Sequence, residues 1–158
     1  MNLRRLAAAL SIAAVPLLVA AEFSTVFEVT VGSLEVVQRS ATGGENHGYA
    51  LLVVAVFAVA LTLHGLRLAG RAAGAGLITL GIVVLMVALT VDLPDTRAAG
   101  RLPESVAYED ARARAGVALG LEIAGGVLLL AAGGLLAFAG QHAGRRPASG
   151  LSAGERHR

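Results

Sequence analysis

GVALGLEIAGGVLLLAAGGLLAFA, residues 116–139, decides how this chain is read. At 1.5 Å per residue a helix of this length crosses the roughly 30 Å hydrocarbon core of a bilayer, and Glu122 alone interrupts its apolar character. Three more stretches match it in apolarity and approximate length, residues 6–23, 49–66 and 73–91. Backbone polar groups inside hydrocarbon have no water to bond, so each stretch must satisfy its own and is expected to be helical.

The expected fold is therefore an all-α integral membrane protein, a four-transmembrane-helix antiparallel bundle. Residues 1–140 form the transmembrane domain, with outer loops at 24–48 and 92–115. Residues 141–158, rich in Gly, Ser, Pro and Arg, read as a disordered basic cytoplasmic tail whose arginines can touch anionic lipid. Composition agrees: of 158 residues 56% are hydrophobic and 15% charged, with a mean hydropathy of +0.72. Neither cysteine nor tryptophan occurs. That removes disulfide braces, thiolate metal sites and thiol redox chemistry, and with them the four-helix proteins that pass electrons from dithiols to quinone. The claudin type, with Trp and Cys in its first outer loop, is removed as well. Arginine is the only basic side chain beside histidine, which reads as coding composition.

Arginine distribution sets the orientation. Arg4, Arg5, Arg67, Arg71, Arg145, Arg146, Arg156 and Arg158 fall on one side, against Arg39, Arg97, Arg101, Arg112 and Arg114 on the other. The richer side is expected in the cytoplasm, placing both termini there in a multi-pass protein of the cell membrane. MNLRR followed by LAAALSIAAVPLLVAA also has the form of a secretory signal peptide, with Val19 and Ala21 before a cut at Glu22. Three further spans favour retention as the first helix, in which Pro16 leaves the Ile12 carbonyl without its donor and bends the helix.

The first outer loop holds FEVTV and LEVVQ around Gly32-Ser33, which predicts a small extracytoplasmic β-hairpin with a two-residue turn. In that register Val29, Val31, Leu34 and Val36 share one face, and Glu28, Thr30 and Glu35 the other. The apolar face needs cover, since a lone hairpin is marginal in water. In the second outer loop ESVAYEDARARAG, after Pro103, predicts a short interfacial helix with Asp110 and Arg114 paired at i and i+4 and Tyr108 at headgroup depth.

Membrane helices associate through small residues and interhelical hydrogen bonds. Gly126, Gly133 and Gly140 recur every seventh residue, and the stripe they define includes Glu122, Leu129 and Leu136. Gly74 and Gly81, with Ala88, give the third span a matching packing seam. The first and second spans offer Ser11, Ala14, Leu18, Ala21 and Ala55, Ala58, Thr62, Gly65. Leu121, Leu128 and Leu135 lie on another stripe, expected to face lipid. Glu122 is then expected to face protein, about 9 Å from the outer end of its helix.

A carboxyl at that depth costs several kcal/mol unless it is neutralised or paired. Tyr49 and Thr90 are the expected partners, with Glu22 and His47 at the same level. Two readings follow for Glu122: a register-fixing hydrogen bond, or a proton or cation site. The first is favoured because the spans supply no second acid or base to continue a relay. His64, His142 and His157 have no ligand spacing, and Glu45 with His47 lacks a third ligand, so no metal is expected. The Gly pairs at 125–126 and 133–134 lie inside a span and are no phosphate loop, and no Ser, His and carboxylate set shares a face.

The expectation is a non-enzymatic membrane protein without a cofactor, an accessory or structural subunit acting by helix packing and outer-loop contacts. Its partners are the lipid bilayer and a homo-oligomer or larger membrane complex, not nucleic acid. The alternative is a small transporter or proton-coupled sensor using Glu122. Small multidrug transporters share four helices and a membrane glutamate, but theirs is in the first helix and their loops are short.

Overall fold

The structure, a computed structural model, describes residues 2–31, 36–67, 70–95 and 111–143. Four helices in it are long and apolar enough to cross a membrane. Helix α1 (Leu3–Phe23) opens on Asn2, whose side chain accepts from the Arg4 N–H. It continues through Pro16 and closes where the Ser24 hydroxyl donates to the Ala20 carbonyl. After β1 (Thr25–Val31), β2 (Val36–Thr42) and the short α2 (Gly43–His47) comes α3 (Ala50–Arg67). Helix α4 (Arg71–Val87) runs on through a π-helical turn, Ala88–Asp92, into α5 (Leu93–Asp95). Strand β3 (Ala111–Ala115) leads into α6 (Val117–Ala143).

The buried faces explain the bundle. Helix α1 buries Ala7, Ser11, Ala14, Leu18 and Ala21; α3 buries Leu51, Ala55, Ala58, Thr62 and Gly65. In α4 the buried positions include Gly74, Leu77, Gly81, Val84 and Ala88. Alternating steps of three and four keep one seam facing its neighbours, as in a left-handed bundle. Each helix packs on two others, in the circuit α6, α1, α3, α4 and back to α6. Between α1 and α3 the Ser11 and Thr62 hydroxyls meet at 2.7 Å, and Thr62 also bonds the Ala58 carbonyl.

Helix α6 has α1 on one side and α4 on the other, and its buried arc is correspondingly wide, taking in Ala118, Glu122, Gly125, Gly126, Leu129, Ala132, Gly133 and Leu136. The leucines at 121, 128 and 135, expected to face lipid, are instead half-buried against the core at the edge of that arc. The exposed side carries Val117, Ile123, Val127 and Phe138. Gly74, Gly81, Gly126 and Gly133 sit where α4 and α6 cross most closely. A Cβ added at Gly133 would lie 2.6 Å from the Gly74 carbonyl oxygen, and one at Gly81 2.8 Å from that of Gly126. Gly140 faces Arg71, whose Cγ would be 3.1 Å from an added Cβ.

The sheet has three strands in the order β2-β1-β3, both pairs antiparallel. Val31 pairs with Val36, a register different from the Val31–Leu34 pairing that a turn at Gly32-Ser33 requires; residues 32–35, which hold that turn, lie outside the described residues. Register shifts occur between Thr25 and Phe27 and between Val29 and Thr30. The simple two-face alternation is thereby broken: consecutive Val26 and Phe27 are both buried, and so is Thr30, which had been placed on the polar face.

The third strand replaces part of the helix expected after Pro103. Ala111–Ala115 is extended and pairs with β1, Val31 to Ala111 through Phe27 to Ala115, where the expected helix would have continued. Tertiary pairing outweighs the modest gain of one helical ion pair. Asp110, Tyr108 and the rest of 96–110 lie outside the described residues, as does the tail beyond 143.

The base of the sheet organises one end of the bundle. There the Gly43 N–H donates to the Ser24 carbonyl and the Gly116 N–H to that of Val26. Gly116 is needed at this crossing, because any Cβ would collide with the Thr25 carbonyl. The end of α1, the segment leading into α3, the end of α4 and the start of α6 thus meet at one level.

Candidate functional site

At that level four side chains from four segments converge: Glu22 of α1, His47 of α2, Asp92 closing the π-helical turn and Glu122 of α6. Asp92 and Glu122 are fully buried, Glu22 is 1% exposed, and the His47 side chain is 5% exposed.

Each is delivered by a local feature. Glu22 ends the buried face of α1, and its Oε1 accepts the Leu51 N–H at 2.5 Å. Leu51 lies in the first turn of α3, where N–H groups lack intrahelical partners, so Glu22 caps a helix in another part of the chain. His47 is carried by α2, which starts with a capping box: Thr42 Oγ1 accepts from the Glu45 N–H at 3.4 Å while Glu45 Oε2 accepts from the Thr42 N–H at 3.0 Å. Those bonds hold the Glu45 carboxyl below its ordinary value of 4.5. Glu45 is thus an exposed cap that points away from His47's contacts.

Gly43 and Gly44 let α2 lie flat. A Cβ on Gly43 would stand 2.7 Å from the Ala21 carbonyl oxygen, and Gly44 lies against the Tyr49 ring. The chain then turns through two left-handed residues, Gly48 at φ 59° and Tyr49 at φ 63°. That conformation is costly for Tyr49. Its ring, against Gly44 and with its centroid 6.3 Å from that of Phe23, is part of what holds it.

Asp92 closes the π-helical turn, in which the Leu93 N–H reaches back to the Ala88 carbonyl. It lies four residues past Ala88, on the buried face of Gly74, Gly81 and Ala88. Single π turns of this kind recur at functional sites.

The contacts among the four groups are specific. Asp92 Oδ1 accepts from Asn46 Nδ2 at 2.8 Å and lies 2.7 Å from His47 Nε2. With an ionised carboxylate as acceptor Nε2 carries the hydrogen, and in the neutral ring Nδ1 then presents a lone pair. Nδ1 faces Glu122 Oε1 at 3.9 Å. Five buried atoms are left without a hydrogen-bond partner: His47 Nδ1, Asp92 Oδ2, both Glu122 oxygens and Glu22 Oε2. One donor atom from each of His47, Asp92 and Glu122 fits within 4.8 Å of the others.

Tyr49 and Thr90, the partners expected for Glu122, are elsewhere. Tyr49 is half exposed, and the Thr90 hydroxyl donates to the Met86 carbonyl on the exposed side of its helix. His47 and Asp92 take their place; Glu22 and His47 were expected at this level, and Asp92 was not. Asp92 was missed because it follows an apolar span and reads as the first loop residue. The signal for it was present: Glu22 and Asp92 both stand at the ends of spans that the topology brings to the level of Glu122.

No protein-family model matches the chain, and none of the curated proteins does.

Proposed function

We propose that this chain is a non-enzymatic multi-pass membrane protein whose working centre is a cation-responsive cluster formed by Glu22, His47, Asp92 and Glu122. The observation that carries the proposal is the set of five buried, unpartnered atoms, all able to donate lone pairs, gathered at one end of the bundle. Buried polar groups are normally satisfied, and leaving several unsatisfied together costs several kcal/mol unless a proton or metal ion joins them.

Closure of the site supports sensing or accessory work over catalysis. The clustered side chains are at most 5% exposed, a burial that suits a small ion. Toward the opposite end the described core is Ala, Leu, Val and Gly, with the Ser11 and Thr62 hydroxyls the polar exception. An ion held at Glu122 would find no ladder of polar groups leading on, which favours a static site over a transport path.

In this reading the arginine-bearing ends of α1, α3 and α4 face the cytoplasm, and the sheet lies outside. Strand β2 runs directly into α2, so the state of the cluster at His47 bears on the hairpin that a neighbouring membrane subunit or second copy would meet. Stability in detergent as a function of pH, compared between wild type and Glu122→Gln, tests the proposal. A profile that changes with the substitution supports it; superposable profiles overturn it.

A further inference from the structure

We infer that His47, Asp92 and Glu122 form a binding site for one divalent transition-metal ion, zinc before manganese. This rests on the reading of the cluster as cation-responsive and names its occupant. The ligand geometry and the unpartnered donors are separate observations, and both point to a metal.

Geometry comes first. Donors about 2.0–2.2 Å from a shared zinc ion lie about 3.3–3.6 Å apart across a tetrahedral angle. His47 Nδ1 and Glu122 Oε1 stand 3.9 Å apart, so a shift of a few tenths of an ångström brings both onto one ion. The third ligand is Asp92, one oxygen of which lies within 4.8 Å of a donor atom on each of the other two residues; to bind the ion its carboxylate turns away from His47 Nε2.

The state of the donors is the second observation. Glu122 is fully buried, and neither of its oxygens has a hydrogen-bond partner. With Nε2 of His47 donating to Asp92 Oδ1, the atoms left open are Nδ1, Asp92 Oδ2 and the two Glu122 oxygens. These are lone-pair donors confronting one another, which calls for a Lewis acid.

Donor chemistry selects the ion. One imidazole nitrogen with carboxylate oxygens and no sulfur suits zinc or manganese, whereas calcium and magnesium favour all-oxygen shells. A charge of +2 matches the two carboxylates, Asp92 and Glu122, with His47 neutral. Glu22 stands outside the ligand set, and its Oε2 is the remaining buried oxygen without a hydrogen-bond partner. Bound metal would join α2, α4 and α6, fastening the segment below β2 to the bundle.

The test uses the full-length protein, purified in detergent with a histidine-free tag and stripped with chelator. Zn2+ titrated by calorimetry, with metal content measured after gel filtration, should give one ion per chain. Equal concentrations of Mg2+ or Ca2+ should not displace it. Glu122→Gln, close in shape to the native residue, and His47→Gln should each weaken Zn2+ binding on the order of 100-fold or more. His64→Ala and His142→Ala should leave it unchanged. Should His47→Gln fail to fold, the visible bands of Co2+ bound to wild type, abolished by one equivalent of Zn2+, report the same site. Zn2+ binding that survives Glu122→Gln overturns the inference. Wild type that binds no Zn2+ overturns it too, and the pH comparison then separates the cases: a profile altered by Glu122→Gln leaves a protonated cluster standing, while superposable profiles remove both readings.

Discussion

His47 and Asp92 are 45 positions apart in the chain and 2.7 Å apart in space, and with Asn46 on the same Asp92 oxygen they tie α2 to the end of α4. Asp92→Ala should therefore strand two buried donors and cost about 1–3 kcal/mol of stability. His47→Ala should cost less in that background than in wild type, because the bond it removes is already gone. Thermal unfolding in detergent of the two single variants and the double variant measures this, and strictly additive losses would show that the two side chains do not act as a pair.

Adjacent glycines in α6 offer an internal comparison. A Cβ on Gly133 meets the Gly74 carbonyl oxygen at 2.6 Å and the Ile78 nitrogen at 2.7 Å, whereas one on Gly134 meets nothing within 4 Å. Gly133→Ala should force α4 and α6 apart and cost about 1–3 kcal/mol. Gly134→Ala should be neutral or stabilising by up to about 1 kcal/mol, through helix propensity. Equal effects at the two positions in a denaturation series would contradict the seam.

Topology can be read directly in cells. Reporter fusions after Arg71 should be cytoplasmic, and fusions after Thr42, at the end of β2, should be extracytoplasmic. Arg4, Arg5, Arg67 and Arg71 supply the bias at the cytoplasmic end. A cytoplasmic signal at Thr42 would invert the orientation.

The Glu45 cap has a defined pH signature. Its folded value is depressed below 4.5 by the Thr42 N–H and hydroxyl, so its contribution is present above the unfolded value and lost as pH falls through the folded one. Acidification below about pH 4.5 should loosen α2 in wild type. Glu45→Gln, which keeps an acceptor and loses the charge, should show a flatter response. Amide line shapes of Gly43–His47 on acid titration check this, and matching titrations of the two proteins would show that the cap carries no charge-dependent strength.

Much of the bundle was legible in the residues because hydrocarbon imposes a one-dimensional rule. Any apolar stretch long enough to span must close its own backbone bonds, so the four helices follow from length and composition. A glycine spaced by sevens returns to the same side of a helix, which is why Gly126 and Gly133, or Gly74 and Gly81, mark packing seams in the sequence, while the meeting of these two seams is a feature of the tertiary structure. Polar sites obey no such rule. Asp92 continues the buried face of Gly81 and Ala88 but meets His47 only because the fold brings α2 beside the end of α4, and His47 is there because Gly43 and Gly44 let α2 lie across the end of α1. ARARA at 111–115 alternates with a period of two, a strand signature, yet strand and helix are decided by whether β1 offers a free edge beside it. Composition and periodicity determined that this chain builds a helical bundle around a buried glutamate. The company Glu122 keeps was left to tertiary structure, because a carboxylate's partners are set by distances between segments far apart in sequence.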